Sequence, residues 1–158
     1  MQGDLDALAR LAGDPQVARY VGDGEPLDRE AAALWISRSQ ENVARFGYGT
    51  GAVVDLGSAR VIGWAGFARP DDGPQEIIYA LEPASWGRGL GRELLAGLVA
   101  HAFDTLSLAE VRATTHPDNA VSQHMLLSAG FVRQPDLDPE SRLFVLARPS
   151  EAGTPPGA

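Results

Sequence analysis

The chain has 158 residues, of which 44% are hydrophobic, which is enough for one domain with a buried core. Its 13 basic and 21 acidic residues give a net charge of −8, a field that repels nucleic acid and attracts cations such as protonated amines. Every basic residue is arginine and cysteine is absent, so Schiff-base lysines, P-loop nucleotide binding, disulfides and cysteine nucleophiles are excluded.

The same sequence carries no sign of a membrane or secretory segment. No apolar run approaches the roughly 20 residues that span a bilayer, and residues 1–10 lack a basic stretch followed by an apolar one. We therefore expect a cytoplasmic protein with neither a membrane nor a nucleic-acid partner. A single domain is expected over residues 1–148, and a disordered tail over 149–158, where Pro, Gly and small residues prevail.

Two amphipathic helices are predicted in the first third of the chain. Leucines at helical spacing predict a helix over residues 4–11. The pattern returns over residues 28–46, with Asp28 as a candidate N-cap. The segment Val21–Pro26 between them has the glycine and proline density of a loop.

From Gly51 onward the apolar spacing changes to that of strands. Residues 52–54 and 61–67 are predicted to form a hairpin. A turn over residues 70–74 then leads to a third strand over residues 76–81. Three consecutive strands with short connections indicate an antiparallel meander.

A helix with one apolar face is predicted after Gly91, followed by a strand over residues 110–115. The order strand, helix, strand from Glu76 to Thr115 is a βαβ unit, which requires its two strands to pair in parallel.

The last predicted elements are a helix over residues 119–128, ended by Gly130 at C′, and strands over residues 131–133 and 143–146. The predicted fold class is mixed α/β (α+β), a mostly antiparallel sheet that contains a parallel strand pair and is flanked by helices.

Three glycines, Gly87, Gly89 and Gly91, lie between a strand and the first turn of a helix. They leave backbone N–H groups open to an anion, and Arg88 and Arg92 add positive charge at the rim. The loop therefore fits either a phosphate cradle or a plain turn with solvated arginines. The dinucleotide pattern G-x-G-x-x-G fails, because Arg92 stands where its third glycine is required.

Two motifs resemble the GNAT superfamily of N-acetyltransferases, and its RimJ/RimL-like branch in particular. Residues 76–91, E-I-I-Y-A-L-E-P-A-S-W-G-R-G-L-G, resemble the branch pattern E-I-G-Y-x-L-x-P-x-x-W-G-x-G-[YL]-[AG]. Further along, residues 116–122 and the closing 129–131 resemble the N-x-x-S helix and G-F of the same branch. The two motifs stand in the family's order and together cover about half of the chain.

The resemblance implies acetyl-CoA as co-substrate, no metal, and a sheet that splays at its parallel strand pair. The loop amides would bind the CoA pyrophosphate, and free backbone groups of the preceding strand would pair with pantetheine. The residues implied for cofactor binding are Ile78, Ala80, Leu81, Gly87, Arg88, Gly89, Leu90, Gly91, Arg92 and Asn119. The family's usual route is direct attack by the amine on the thioester, without a covalent acyl-enzyme.

The sequence departs from the family pattern at several places. Ile78 replaces a glycine of the strand motif, and no tyrosine occupies the helix position where many GNAT proteins carry their acid. Where the family opens with a strand of the type R-L-x-L-R, this chain opens almost directly with a helix. We therefore expect a sheet without that edge strand, and a homodimer that covers the open edge.

The reaction requires a base for the amine and an acid for the departing thiolate. Glu76 matches the branch's glutamate and is the candidate base, although it could also be a solvated carboxylate at a strand end. Ser122 is the candidate acid, or else a helix cap or packing residue. His116, Asp118 and His124 lack the spacing of zinc ligands, so a surface role is expected for them.

The leading function is transfer of acetyl from acetyl-CoA to a primary amine, on a protein N-terminus or on a small molecule such as an aminoglycoside, a polyamine or an amino acid. The alternative is a catalytically weak acyl-CoA-binding regulatory module, which the missing strand and the imperfect strand motif would allow.

Overall fold

The computed structural model describes residues 2–69, 73–136 and 138–150. Its helices are α1 (Gln2–Ala12), α2 (Pro15–Ala18), α3 (Arg29–Phe46), α4 (Leu90–Ala100) and α5 (Ala120–Ser128). Its strands are β1 (Thr50–Val54), β2 (Val61–Ala68), β3 (Glu76–Leu81), β4 (Glu110–Thr115), β5 (Val132–Arg133) and β6 (Arg142–Ala147). A 3₁₀ turn covers Pro83–Ser85, and α4 continues into one π-helical turn, His101–Thr105.

The predicted helices are confirmed, and their ends follow from capping. Asp28 is the N-cap of α3, where its carboxylate accepts a hydrogen bond from the Ala31 N–H at 2.8 Å. Gly47 ends the same helix with φ of 79°, in the left-handed region that favours glycine. The short helix α2 was not predicted, because four residues carry no periodicity; it starts at Pro15 behind the N-cap Asp14.

The six strands form one sheet in the order β1-β2-β3-β4-β6-β5. β1, β2 and β3 are the predicted antiparallel meander, β4 and β6 pair antiparallel, and β3 and β4 pair in parallel. The predicted fold class is therefore confirmed. In the described residues no strand precedes α3, and β1 forms one edge of the sheet. The homodimer stays a prediction.

Helices cover both faces of the sheet, each over its own apolar cluster. The face under α4 and α5, called the α4–α5 face, buries Phe67, Ile77, Leu95, Phe103, Val111, Leu126 and Phe144. The opposite face, called the α1–α3 face, buries Leu8, Leu11, Ala12, Val17, Ala32 and Trp64. Because side chains alternate along a strand, each residue of β3 belongs to one of these two faces.

Residues 70–72 of the predicted turn (70–74) lie outside the described residues. So do residues 151–158, which are most of the predicted tail. Across the described ranges, no helix combines the length and apolar character needed to cross a membrane. The domain limits stay a prediction.

Candidate active site

The parallel pair in the centre of the sheet is open. β3 pairs with β2 along its whole length, from Glu76 to Leu81, whereas it pairs with β4 only where Glu76 meets Arg112. Parallel strands that meet at one point diverge beyond it, so β3 and β4 form a V that widens toward their carboxyl ends. Along this V the edge of β3 has no neighbouring strand.

The register of β3 decides which backbone groups face the V. The Glu82 N–H donates to the Ile62 carbonyl at 2.7 Å, so even-numbered residues direct their backbone groups to β2. Ile78 and Ala80 are among these residues. Their predicted backbone contacts with pantetheine therefore disagree with the register, although their side chains remain next to the V.

Tyr79 and Leu81 have the opposite orientation, and their backbone groups face the V. The Leu81 carbonyl accepts a hydrogen bond from the Trp86 indole N–H at 2.8 Å. This bond ties the end of β3 to the glycine loop and leaves the Leu81 N–H facing the V. The Leu81 backbone thus has the orientation that its predicted contact requires, and so does that of Tyr79; the contact of Leu81 with the cofactor stays a prediction.

The glycine loop has the backbone conformation of an anion cradle. Gly87 and Gly89 have φ of 70° and 78°, and no heavy atom lies within 4 Å of the position that a Cβ would take at either residue. Gly89 is the N-cap of α4 and offers no side chain to the first helical N–H groups, which lack partners within a helix. Arg88 and Arg92 are exposed beside them. The loop therefore presents donors and positive charge to open space.

Gly91 has a second reason to be glycine. A Cβ there would lie 3.2 Å from the Met125 sulfur of α5, so the absent side chain lets α4 and α5 pack closely. A role of Gly91 in anion binding stays a prediction, as does that of Leu90, the first residue of α4.

The Glu76 carboxylate lies at the narrow end of the V. Thr114 donates its hydroxyl to the Glu76 Oε2 at 2.9 Å. Because Thr114 is two residues beyond Arg112 along β4, this bond turns the carboxylate toward the opening. Alternation places Glu76 on the same face as Ala80, which packs against the α1–α3 cluster.

On the α4–α5 face of the V, the Tyr79 hydroxyl lies 2.8 Å from the Ser122 Oγ. Burial raises the pKa of Tyr79, and the hydrogen bond with Ser122 opposes part of this rise. The Ser122 N–H donates to the Asn119 Oδ1 at 3.2 Å, so Asn119 is the N-cap of α5. The structure thus brings Glu76 and Ser122 to opposite faces of one opening, while the cofactor contact of Asn119 stays a prediction.

The loop after α2 borders the wide end of the V. The Tyr20 ring lies 5.6 Å from the His116 ring, centroid to centroid, and His116 directly follows β4. The His116 Nδ1 accepts the Asp118 N–H at 3.1 Å, a local turn contact. Within the described residues, no three His, Cys, Asp or Glu side chains stand together as metal ligands would.

The comparisons with known proteins agree with this architecture. A model of the acetyltransferase (GNAT) domain family matches residues 1–132. The uncharacterized N-acetyltransferase p20 of Bacillus licheniformis is 27% identical over 133 residues, which span 83% of this chain and 75% of p20.

Two solved structures share the fold at low sequence identity. An acetyltransferase from Agrobacterium tumefaciens superposes with a TM-score of 0.79 at 23% identity, over 94% of this chain and 87% of that one. Spermidine N-acetyltransferase from Vibrio cholerae, in complex with CoA and spermine, gives 0.77 at 16% identity, over 93% and 91%. The chain therefore belongs to the GNAT acetyltransferase family, whose members transfer acetyl groups from acetyl-CoA.

Acetyl-CoA fits what these residues offer. The open glycine loop suits a pyrophosphate, and the unpaired edge of β3 suits the amides of an extended pantetheine arm. At the wide end of the V, the buried Thr115 hydroxyl has no hydrogen-bond partner among the described residues and could serve the same arm. Thr115 carried no signal in the sequence, because a strand-end threonine is ordinary there.

Proposed function

We propose that this protein moves the acetyl group of acetyl-CoA to a primary amine by direct attack in a ternary complex, with Glu76 as the base for the amine. The observation that carries the proposal is the V between β3 and β4, at whose narrow end Thr114 holds the Glu76 carboxylate toward the opening. A thioester that lies along the V is then within reach of a nucleophile arriving from the α1–α3 face.

The cofactor would be held along three parts of the chain. The glycine loop, from Gly87 to Arg92, would bind the pyrophosphate through backbone N–H groups and arginine side chains. The backbone groups of Tyr79 and Leu81 would pair with pantetheine. Asn119, the N-cap of α5, would also contact the cofactor.

The acceptor is proposed to be an amine because of the protein's charge and the chemistry of the site. A net charge of −8 favours the approach of an alkylammonium ion, and Glu76 can accept its proton. The similar Vibrio cholerae enzyme is named for the polyamine spermidine, which supports this class of acceptor. Membership of the RimJ/RimL-like branch is part of the proposal and rests on the motif over residues 76–91.

A thiol-release assay over a panel of amines tests the proposal. The panel would contain polyamines, aminoglycosides, free amino acids and peptides with a free N-terminus, each with acetyl-CoA. We expect release of CoA that depends on the amine. Saturable binding of acetyl-CoA without turnover of any amine would instead support a regulatory acyl-CoA-binding module and contradict the proposal.

A further inference from the structure

Tyr79 reaches from β3 to α5 on the α4–α5 face of the V. Its ring packs against the buried cluster of that face, and its hydroxyl lies 2.8 Å from the Ser122 Oγ. Ser122 is in turn fixed by its own backbone, because its N–H is bonded to Asn119 in the first turn of α5. Two hydroxyl groups are thus held at defined positions beside the opening.

The direction of this hydrogen bond decides what Ser122 can do. A phenol is a stronger acid than an aliphatic alcohol, so Tyr79 is the better donor of the two. Burial raises the pKa of Tyr79, so the phenol keeps its proton through the neutral range. When Tyr79 donates, one lone pair of the Ser122 oxygen is occupied and the serine proton is free for another acceptor.

We propose that Tyr79 is a positioning residue, which by donating to Ser122 directs the serine O–H toward the thioester sulfur. This inference rests on the proposed acetyl transfer. In that step the C–N bond forms, the amine proton passes to Glu76, and the C–S bond breaks with its electron pair on sulfur. The serine O–H stabilises the negative charge that the sulfur gains.

The acidities argue for a hydrogen bond to sulfur in place of a proton transfer. An alkyl thiol has a pKa of roughly 8.5 and a tyrosine one of about 10, and an aliphatic alcohol is a weaker acid still. The thiolate is therefore a weaker base than either deprotonated hydroxyl, so it keeps its charge beside Ser122. It is protonated later by acids of the solvent, to which Glu76 returns the amine proton. Ser122 then acts as a donor to the leaving group, a narrower role than the acid expected from the sequence.

Three variants test this arrangement: Tyr79→Phe, Ser122→Ala and the double variant, assayed with saturating acetyl-CoA and the best amine of the panel. We expect kcat to fall about 10-fold in Tyr79→Phe and about 10²-fold in Ser122→Ala. The KM for acetyl-CoA should change by less than about two-fold in each, because the contact matters as charge develops. The double variant should be no slower than Ser122→Ala, since Tyr79 acts through the serine.

Tyr48→Phe is the matched control. Tyr48 is buried in the same cluster and accepts a hydrogen bond from Arg69 at 3.4 Å, so the variant removes the same atom from another part of the core. We expect it to keep the wild-type kcat. The inference is overturned if Tyr79→Phe has wild-type kcat, or if the kcat of the double variant is lower than that of Ser122→Ala by the factor lost in Tyr79→Phe. It is also overturned if Tyr48→Phe lowers kcat as much as Tyr79→Phe does. A wild-type protein inactive with every amine would overturn the proposed function itself, and this inference with it.

Discussion

Among the described residues, Glu76 is held at the narrow end of the V by one side-chain hydrogen bond, from Thr114. The bond fixes the direction of the carboxylate and leaves its second oxygen available to a substrate or a water molecule. An alkylammonium ion must lose a proton before its nitrogen can attack the thioester, and a carboxylate placed beside it can accept that proton. The same carboxylate also attracts the cationic form of the amine, and the two roles need separate tests.

Replacing Glu76 with glutamine keeps the shape of the side chain and removes its charge. If Glu76 is the base, kcat should fall by about 10²-fold with a small change in the KM for the amine. The loss should shrink as pH rises, because the amine then deprotonates in solution. Steady-state kinetics over a range of pH measure both effects.

Glu110→Gln is a suitable control, since Glu110 is a partly exposed carboxylate on β4 whose nearest ion-pair partner is Arg112, at 3.8 Å. It should leave kcat unchanged. A wild-type kcat for Glu76→Gln at neutral pH would exclude the base role and direct attention to Asp23, Glu25 or a chain of water molecules. A raised KM with unchanged kcat would make Glu76 a binding residue.

The sequence could offer Glu76 and Ser122 as candidates because each stands in a motif with a recognisable order. It could not identify the contact between Tyr79 and Ser122, which joins residues 43 positions apart. Such a contact depends on how α5 packs beneath β3, and no local pattern encodes that packing. For the same reason the sequence did not predict the hydrogen bond from the Thr114 hydroxyl to Glu76, two residues beyond the point where β4 pairs with β3.

At the scale of elements, the glycine loop joins β3 to α4 through two left-handed residues. Gly89 is a suitable probe, because it is the N-cap of α4 and an added Cβ would meet no heavy atom within 4 Å. Any loss of cofactor affinity in Gly89→Ala would then come from the altered backbone or from collision with the cofactor, not from a clash within the fold.

Gly47→Ala is its matched control. Gly47 has φ of 79°, against 78° for Gly89, and open space around its Cβ position, but it ends α3 far along the chain from the loop. Both variants should lose about 1 kcal/mol of unfolding free energy. Only Gly89→Ala should also weaken acetyl-CoA binding by about tenfold or more, equivalent to about 1.4 kcal/mol, as measured by calorimetry. Equal affinities in the two variants would remove the loop from the cofactor site.

Periodicity and caps were sufficient to predict four of the helices and all of the strands in the described residues. The splay between β3 and β4 was expected only through the family resemblance, since a sequence specifies that two strands are parallel more readily than where they part. The register of β3 lay beyond the sequence as well, because it depends on the partner strand β2. In that register the backbone groups that face the V belong to Tyr79 and Leu81, whereas those of Ile78 and Ala80, for which pantetheine contacts were also expected, face β2.

For the molecule as a whole, the helices of the α1–α3 face must stay fixed to the sheet if an acceptor is to meet the V from that side. Glu82 provides one such connection directly after β3. Its carboxylate is buried and forms ion pairs with two arginines. Arg10 of α1 lies 3.3 Å from it, and Arg60, the residue before β2, lies 3.4 Å from it. Arg10 also donates to the Val61 carbonyl at 3.0 Å. One carboxylate thus joins α1, the hairpin and the start of the glycine loop.

Because two arginines share this buried carboxylate, their contributions to stability should not add. Arg10→Ala or Arg60→Ala alone should cost about 1 kcal/mol of unfolding free energy, since the remaining arginine still neutralises Glu82. The double variant leaves a buried carboxylate unpaired and should cost about 3–5 kcal/mol, more than the sum of the two. Urea denaturation of the three variants measures the difference.

Arg29→Ala serves as the control, because its ion pair with Asp6 is exposed on both sides and should be worth less than about 1 kcal/mol. Additive losses would mean that Glu82 is solvated in the absence of its partners, and that packing of the apolar cluster alone fixes α1 to the sheet.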